Sequence, residues 1–169
     1  PGVDMSTGSL GQGISAAAGM ALAAKYQGRS CRVYTLLGDG EIQEGQVWEA
    51  MMFAHHYKLD NFCAIIDNNG LQIDGKTSDV CDPGDLASKF TAFGWDAHEI
   101  DGHDVAALRD AFAKVKSERD GKPHVFIART IKGKGVSFME DQAGWHGKAP
   151  NAEELEQALI DLGAAKKEA

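Results

Sequence analysis

The chain has 169 residues, of which 43% are hydrophobic and 25% charged, with a formal net charge of −8 at pH 7. That length suits one globular domain with a sizeable core, burying roughly 70% of the surface its unfolded chain exposes. The acidic balance, with no basic run longer than Lys166-Lys167, argues against nucleic acid or an anionic membrane as partner, and no apolar run approaches the ~20 residues of a membrane span.

In chain order, Gly8-Ser9-Leu10-Gly11-Gln12-Gly13 is a glycine loop opening an alanine-rich helix over 14–26, which Gly28 ends. Residues 31–37 (CRVYTLL) predict a short buried strand, and Gly38-Asp39-Gly40 is the turn at its C-terminal end. A helix follows over about 43–57, with Val47, Met51, Ala54 and Trp48 on its packing face. A second buried strand spans 62–66 and ends at Asp67-Asn68-Asn69-Gly70. Turn formers (Asp74-Gly75, Asp82-Pro83) fill 71–83, and Asp85 then caps a helix running to 93. A third strand over 95–100 leads into Asp101-Gly102-His103-Asp104, a helix spans 105–118, and a fourth strand spans 123–130. Residues 131–150 predict an irregular, glycine-rich loop, after which Asn151 caps an amphipathic helix over 152–162. No internal repeat or low-complexity tract is present.

Strands alternating with helices predict the α/β class, a parallel sheet with helices on both faces. In such sheets ligands bind beyond the carboxyl ends of the strands. Asp39, Asn68-Asn69, Asp101–His103 and Thr130–Lys132 each follow a strand end, so they share one edge of the sheet.

Glycines at Gly38 and Gly40 let backbone approach a ligand, and the start of the following helix offers N–H groups to an anion. Asp39 sits awkwardly there, because a carboxylate repels an anion unless a cation lies between them. Asp39 and Asn69 both offer oxygen, the donor that Mg²⁺ requires, and Mg²⁺ commonly binds through one or two carboxylates plus substrate phosphates. The turn therefore reads as a metal-bridged diphosphate site.

The extended pattern Gly38-Asp39-Gly40-Glu41, Gly45, Glu49, Ala50, Leu59, Asp67-Asn68-Asn69 resembles the thiamine diphosphate enzymes. Within them the chain is most similar to transketolase, in its N-terminal, pyrophosphate-binding half. The supporting runs are PGVDMSTGSLGQG, LGDGEIQEGQVWEA, YKLDNFCAIIDNNGLQIDG, DGHD, IKGKGVSFME and WHGKAP, which span essentially the whole chain in order. The resemblance implies a thiamine-diphosphate-binding fold, with 1–169 a single pyrophosphate-type domain lacking an N-terminal part. It implies Asp39, the Asn69 side chain and the Leu71 carbonyl as Mg²⁺ ligands. It implies Gly40 at the diphosphate, Gly8, Ser9 and Leu10 at the aminopyrimidine end, and Lys132 and His146 near the diphosphate and the substrate. It also implies His146 as the catalytic candidate of this chain, and Glu44 and Glu49 as acids of a subunit interface.

The activity so implied is two-carbon ketol transfer between sugar phosphates, of the kind used in pentose phosphate metabolism, with the hard chemistry carried by the cofactor. The glutamate that activates the aminopyrimidine ring belongs, in this family, to a pyrimidine-binding domain. A C-terminal transketolase subunit carrying that domain is therefore the expected partner, in a dimer or heterotetramer, and the short KKEA tail fits the end of an N-terminal subunit. A sister thiamine diphosphate enzyme (deoxyxylulose-phosphate synthase or a 2-oxoacid dehydrogenase of the E1 type) and a non-catalytic cofactor-binding or assembly fragment are the alternatives. A nicotinamide-binding domain is disfavoured because no GxGxxG follows a strand.

The remaining polar residues read as structural. His55 and His56, adjacent on a helix, point apart and cannot chelate one metal. Helix capping by Asp104 explains much of the DGHD run. Cys31, Cys63 and Cys81 are an odd set without CxxC spacing, which predicts reduced thiols and a cytoplasmic protein.

Overall fold

The computed structural model describes residues 2–164, so Pro1 and the KKEA tail lie outside the described residues. Four strands, β1 (Val33–Gly38), β2 (Phe62–Asn68), β5 (Asp96–Asp101) and β6 (His124–Arg129), form a sheet in the order β1-β2-β6-β5. Every pairing in it is parallel. The sequence expectation of a parallel α/β sheet is met, with strand limits displaced by one or two residues. A two-stranded antiparallel hairpin, β3 (Leu71–Gln72) and β4 (Gly75–Lys76), and the short helix α3 (Thr77–Val80) occupy the stretch where only turns were expected.

Successive strand residues face opposite sides, and the two faces are covered unequally. On one side α1 (Gln12–Tyr26), α2 (Gly45–His56) and α4 (Leu86–Ala92) enclose the main core. Ile14, Ala17, Ala18 and Ala21 of α1 and Val47, Met51 and Ala54 of α2 meet Leu37, Phe62, Ala64, Ile66, Val125 and Ile127 of the strands. The alanines bring α1 close to the sheet and to α2. Phe90 of α4 and Trp95 close this layer, and the Trp95 indole N–H donates to the Met51 carbonyl at 3.0 Å. On the other side α5 (Val105–Ser117) packs Val115, Ala111 and Phe112 over Cys63, Phe126, Ile65 and Ile100. That helix reaches the outer strand only at Tyr34, through Phe112, and Leu36 of β1 is 71% exposed.

Caps set the helix starts as the sequence predicts. Asp85 accepts from the Ser88 amide, Asp104 from the Ala107 amide, and Asn151 forms a full capping box with Glu154 at the start of α6 (Ala152–Asp161). The helix expected over 43–57 differs. A separate 3₁₀ turn covers Glu41–Gln43, Glu44 is extended, and α2 begins only at Gly45. Ile42 explains the break: its side chain is buried and its carbonyl accepts from the Trp48 indole at 2.8 Å instead of from a helix amide.

Candidate functional site

The four strand ends carry the polar clusters, and hydrogen bonds tie those ends together. The Asp39 amide donates to the Asp67 carbonyl at 3.2 Å, the Thr130 amide to Asn68 at 3.3 Å, and the Gly102 amide to Arg129 at 2.8 Å. The Thr130 hydroxyl donates to Asp67 Oδ1. Gly102 has to be a glycine, since a Cβ there would lie 2.4 Å from Thr130 Cγ2 and 3.1 Å from the Arg129 carbonyl oxygen. The sheet edge thus gathers residues from four distant segments, as the strand-end argument expected.

Asp39 is 1% exposed. Its Oδ1 accepts from the Gly40 amide at 2.9 Å and its Oδ2 from the Gly70 amide at 2.6 Å. The second bond places the Asn69 loop against Asp39. Asn69 in turn donates from Nδ2 to Asp67 Oδ2 at 3.2 Å, while its Oδ1 accepts from the Leu71 amide at 2.9 Å. Burial first, and the charge of Asp67 second, hold the Asp39 carboxyl above its ordinary value, and the amides of Gly70 and Gly40 offset only part of this. Among the described residues no Lys, Arg or His forms an ion pair with Asp39 or Asp67.

A buried carboxylate beside another, with no cation to balance them, suits a bound divalent metal. The donor set fits Mg²⁺ in kind, because Asp39, Asn69 Oδ1 and the Leu71 carbonyl all offer oxygen with lone pairs to spare. Gly40 fits a closely approached ligand. A Cβ there would come 3.1 Å from Gln72 Cβ, so a side chain would crowd the hairpin.

Glu41 enters the sequence pattern without a role of its own, yet it holds the site's two glycine segments together. Its Oε1 accepts from the Gly11 amide at 3.0 Å and its Oε2 from the Gly38 amide at 3.1 Å. This joins the 8–13 loop to the Gly38-Asp39-Gly40 turn. Gly8, Ser9 and Leu10 are all exposed beside that clamp. Only the position of Glu41 directly after the turn could have hinted at the role, since its partner Gly11 is remote in sequence. Gln43 similarly ties the 3₁₀ turn to the hairpin, donating to Gln72 Oε1 at 2.6 Å and to the Cys81 carbonyl at 2.8 Å.

His103 has a definite task in the structure: its Nε2 accepts from the Ile131 amide at 2.8 Å and so fixes the start of the loop that carries Lys132. Lys132 is half-buried and its carbonyl accepts from Asp141 at 2.9 Å. Gly133 adopts φ +69° with Met139 carbonyl oxygen 2.7 Å from where a Cβ would stand, which closes the loop on itself. His146 is exposed at the end of the 3₁₀ turn Ala143–Trp145, with no side-chain hydrogen bond among the described residues. No hydrogen bond among the described residues joins it to Asp39 or the Asn69 loop. Its neighbour Trp145 is anchored, donating to the Phe138 carbonyl at 3.0 Å with Lys148 Nζ 4.0 Å from its ring centroid. His55 packs against Gly94, where a Cβ would strike its ring at 2.2 Å, in keeping with a structural role. The thiols are free; Cys63 is buried, which pushes it up to about 12, and Cys31 and Cys81 are exposed.

A parallel sheet that gathers a buried acid, an amide loop and glycine turns at its carboxyl edge defines a cofactor-binding α/β domain. The family model for the transketolase thiamine diphosphate binding domain matches residues 1–169, and the chain belongs to that family. Among curated proteins it is 45% identical over 162 residues to an apulose-4-phosphate transketolase subunit of Actinobacillus succinogenes, covering 96% of this chain and 58% of that one. The structure matches transketolase from Campylobacter jejuni with TM-score 0.88 and 34% identity, covering 96% of this chain and 26% of the other. It also matches Pichia stipitis transketolase in complex with sedoheptulose-7-phosphate (TM-score 0.85, 31% identity, 96% of this chain and 25% of the other). The chain therefore spans little more than half of the Actinobacillus relative and about a quarter of the solved transketolases.

Proposed function

We propose that this domain holds magnesium-bound thiamine diphosphate for two-carbon ketol transfer between sugar phosphates, acting with a partner chain that supplies the pyrimidine-binding domain. The observation that carries the reading is Asp39, a buried carboxylate with no ion-pair partner among the described residues, closed over by the Gly70 amide in a chain of this family. One relative is named as a transketolase subunit, which supports the partner, and the sugar phosphate bound by another supports the substrate class. An assembly as a dimer or heterotetramer belongs to the same reading, as does a cytoplasmic location, which the free exposed thiols Cys31 and Cys81 support.

In this reading Asp39, Asn69 Oδ1 and the Leu71 carbonyl hold Mg²⁺, and the Gly40 backbone lies along the diphosphate. The exposed backbone of Gly8, Ser9 and Leu10 meets the aminopyrimidine end, held there by the Glu41 clamp. Lys132, on the loop that His103 fixes, balances diphosphate charge, and His146 orients the sugar. Bound thiamine diphosphate supplies the stabilisation of negative charge on carbon that breaking the ketose carbon–carbon bond demands.

Titration calorimetry tests the anchor. Thiamine diphosphate should bind the chain only with Mg²⁺ present, and Asp39→Ala should weaken that binding by at least about a hundredfold, the upper range for losing even an outer partner of a metal ligand. Equal affinity in the variant would remove the metal assignment.

A further inference from the structure

A second polar cluster lies at the opposite edge of the sheet, where β5 and β6 begin. Asp96 and His124 are partners in register, and His98, two residues along β5, faces the same side. His98 Nε2 lies 3.0 Å from Asp96 Oδ2, and His124 Nδ1 lies 3.5 Å from that same oxygen. Glu118, just past α5, brings Oε2 to 3.8 Å from His124 Nδ1. The Arg32 guanidinium holds the Glu118 carbonyl at 2.8 Å, so the position of this residue is fixed by the strand side of the fold.

The cluster is unsatisfied as it stands. His124 is 0% exposed, and neither of its ring nitrogens has a hydrogen-bond partner. His98 Nε2 and Glu118 Oε2 are likewise buried atoms without one. Buried polar atoms are rarely left so, and several converging on one point imply a group that engages them together. Three of the residues, Asp96, His98 and His124, offer ligand atoms all within 4.8 Å of one another.

Geometry and charge select that group. Bonds of about 2.0–2.1 Å from a tetrahedral zinc-type ion to nitrogen and oxygen put neighbouring ligand atoms about 3.3 Å apart. The separations of 3.0 and 3.5 Å about Asp96 Oδ2 bracket that value. A dication also offsets the charge of the Asp96 carboxylate. No Lys or Arg pairs with Asp96 among the described residues, and Lys114 reaches only Glu118 Oε1, at 4.0 Å. Imidazole donors favour zinc and its transition-metal neighbours over Mg²⁺.

We propose that Asp96, His98 and His124 bind one zinc-type divalent transition metal. The ion joins the starts of β5 and β6, with three protein ligands and a fourth, tetrahedral position left to water. The side chains of Asp96 and His98 are 39% and 25% exposed, which gives the ion a way in from solvent.

Co²⁺ is the probe, because its tetrahedral complexes absorb strongly in the visible and Zn²⁺ is silent. The whole chain should take up one Co²⁺ with a tetrahedral spectrum, lose it to one equivalent of Zn²⁺, and gain thermal stability from the Zn²⁺. His98→Gln should lower the affinity by more than the roughly 10–100-fold that loss of an outer partner costs. Asp39→Ala, and the double substitution Cys31→Ser with Cys81→Ser, should leave the spectrum unchanged. Absence of the spectrum in the wild type, its persistence in His98→Gln, or its loss in the cysteine variant would each overturn the site. Should His98→Gln fail to fold by circular dichroism, Asp96→Asn takes its place with the same two outcomes.

Discussion

Asp39 is under two opposed demands, since a metal needs its charge and burial disfavours it. Because burial raises its folded-state value, protonation favours folding of the metal-free protein. That contribution is complete below the unfolded value of about 3.9 and is lost as pH rises through the higher folded value. Without Mg²⁺, the stability of wild type relative to Asp39→Ala should therefore improve from about pH 7 to about pH 4, read from urea midpoints. A difference that does not change with pH would show that the carboxyl is not displaced. The residue type at this position was legible from chemistry alone, because a carboxylate at an anion-binding turn calls for a cation. Glu41 was not legible in the same way. Its two acceptors meet amides of Gly11 and Gly38, and only folding brings Gly11 near.

Elements built from local signals matched expectation, and those built from distant contacts did not. β2 and β6 are buried apolar runs, and Asp85, Asp104 and Asn151 satisfy amides three residues ahead, so neighbouring residues suffice to define them. The β3–β4 hairpin is two residues per strand and is held from outside, by Gln43 at Gln72 and by the Thr77 amide at the Gly70 carbonyl. The loop over 131–150 is irregular, as its glycines suggest, but α6 pins it. Asp161 Oδ2 accepts from the Ser137 amide at 2.8 Å and the Ser137 hydroxyl at 2.7 Å, bonds that hold the Asp161 carboxyl below its ordinary range. Asp161→Ala should speed hydrogen exchange several-fold at Ser137 and neighbouring loop amides while β2 and β6 amides keep their protection, because local opening need not involve the core. Unchanged exchange at Ser137 would mean that buried Val136 and the Gly133 turn hold the loop without α6.

At the scale of the molecule, one sheet carries polar residues at both ends. Its carboxyl edge gathers Asp39, Asn69, His103 and Thr130, and its amino edge gathers Asp96, His98, Glu118 and His124. No helix among the described residues is long and apolar enough to cross a membrane. The described residues build a four-stranded parallel sheet and a two-stranded hairpin with their helices, matching about a quarter of a solved transketolase chain. The chain by itself should accordingly bind cofactor but show negligible ketol transfer. Adding a pyrimidine-domain chain of the same family should raise the rate at least about a thousandfold, still small beside the roughly 10⁶-fold or more that enzymes reach. Turnover by the isolated chain at an ordinary enzymatic rate would defeat the need for a partner.

Chain order alone settled the alternation of strand and helix, and hence that turns after parallel strands meet at one edge. It also settled which turn carries a carboxylate between glycines, because hydropathy period, caps and glycine placement act over a few residues. The tertiary structure decided which remote groups meet: Glu41 with Gly11, His103 with Ile131, and His98 with His124 at the far edge. Those pairings depend on strand order and register, which are set by the packing of the whole sheet and leave no mark in any local stretch of sequence.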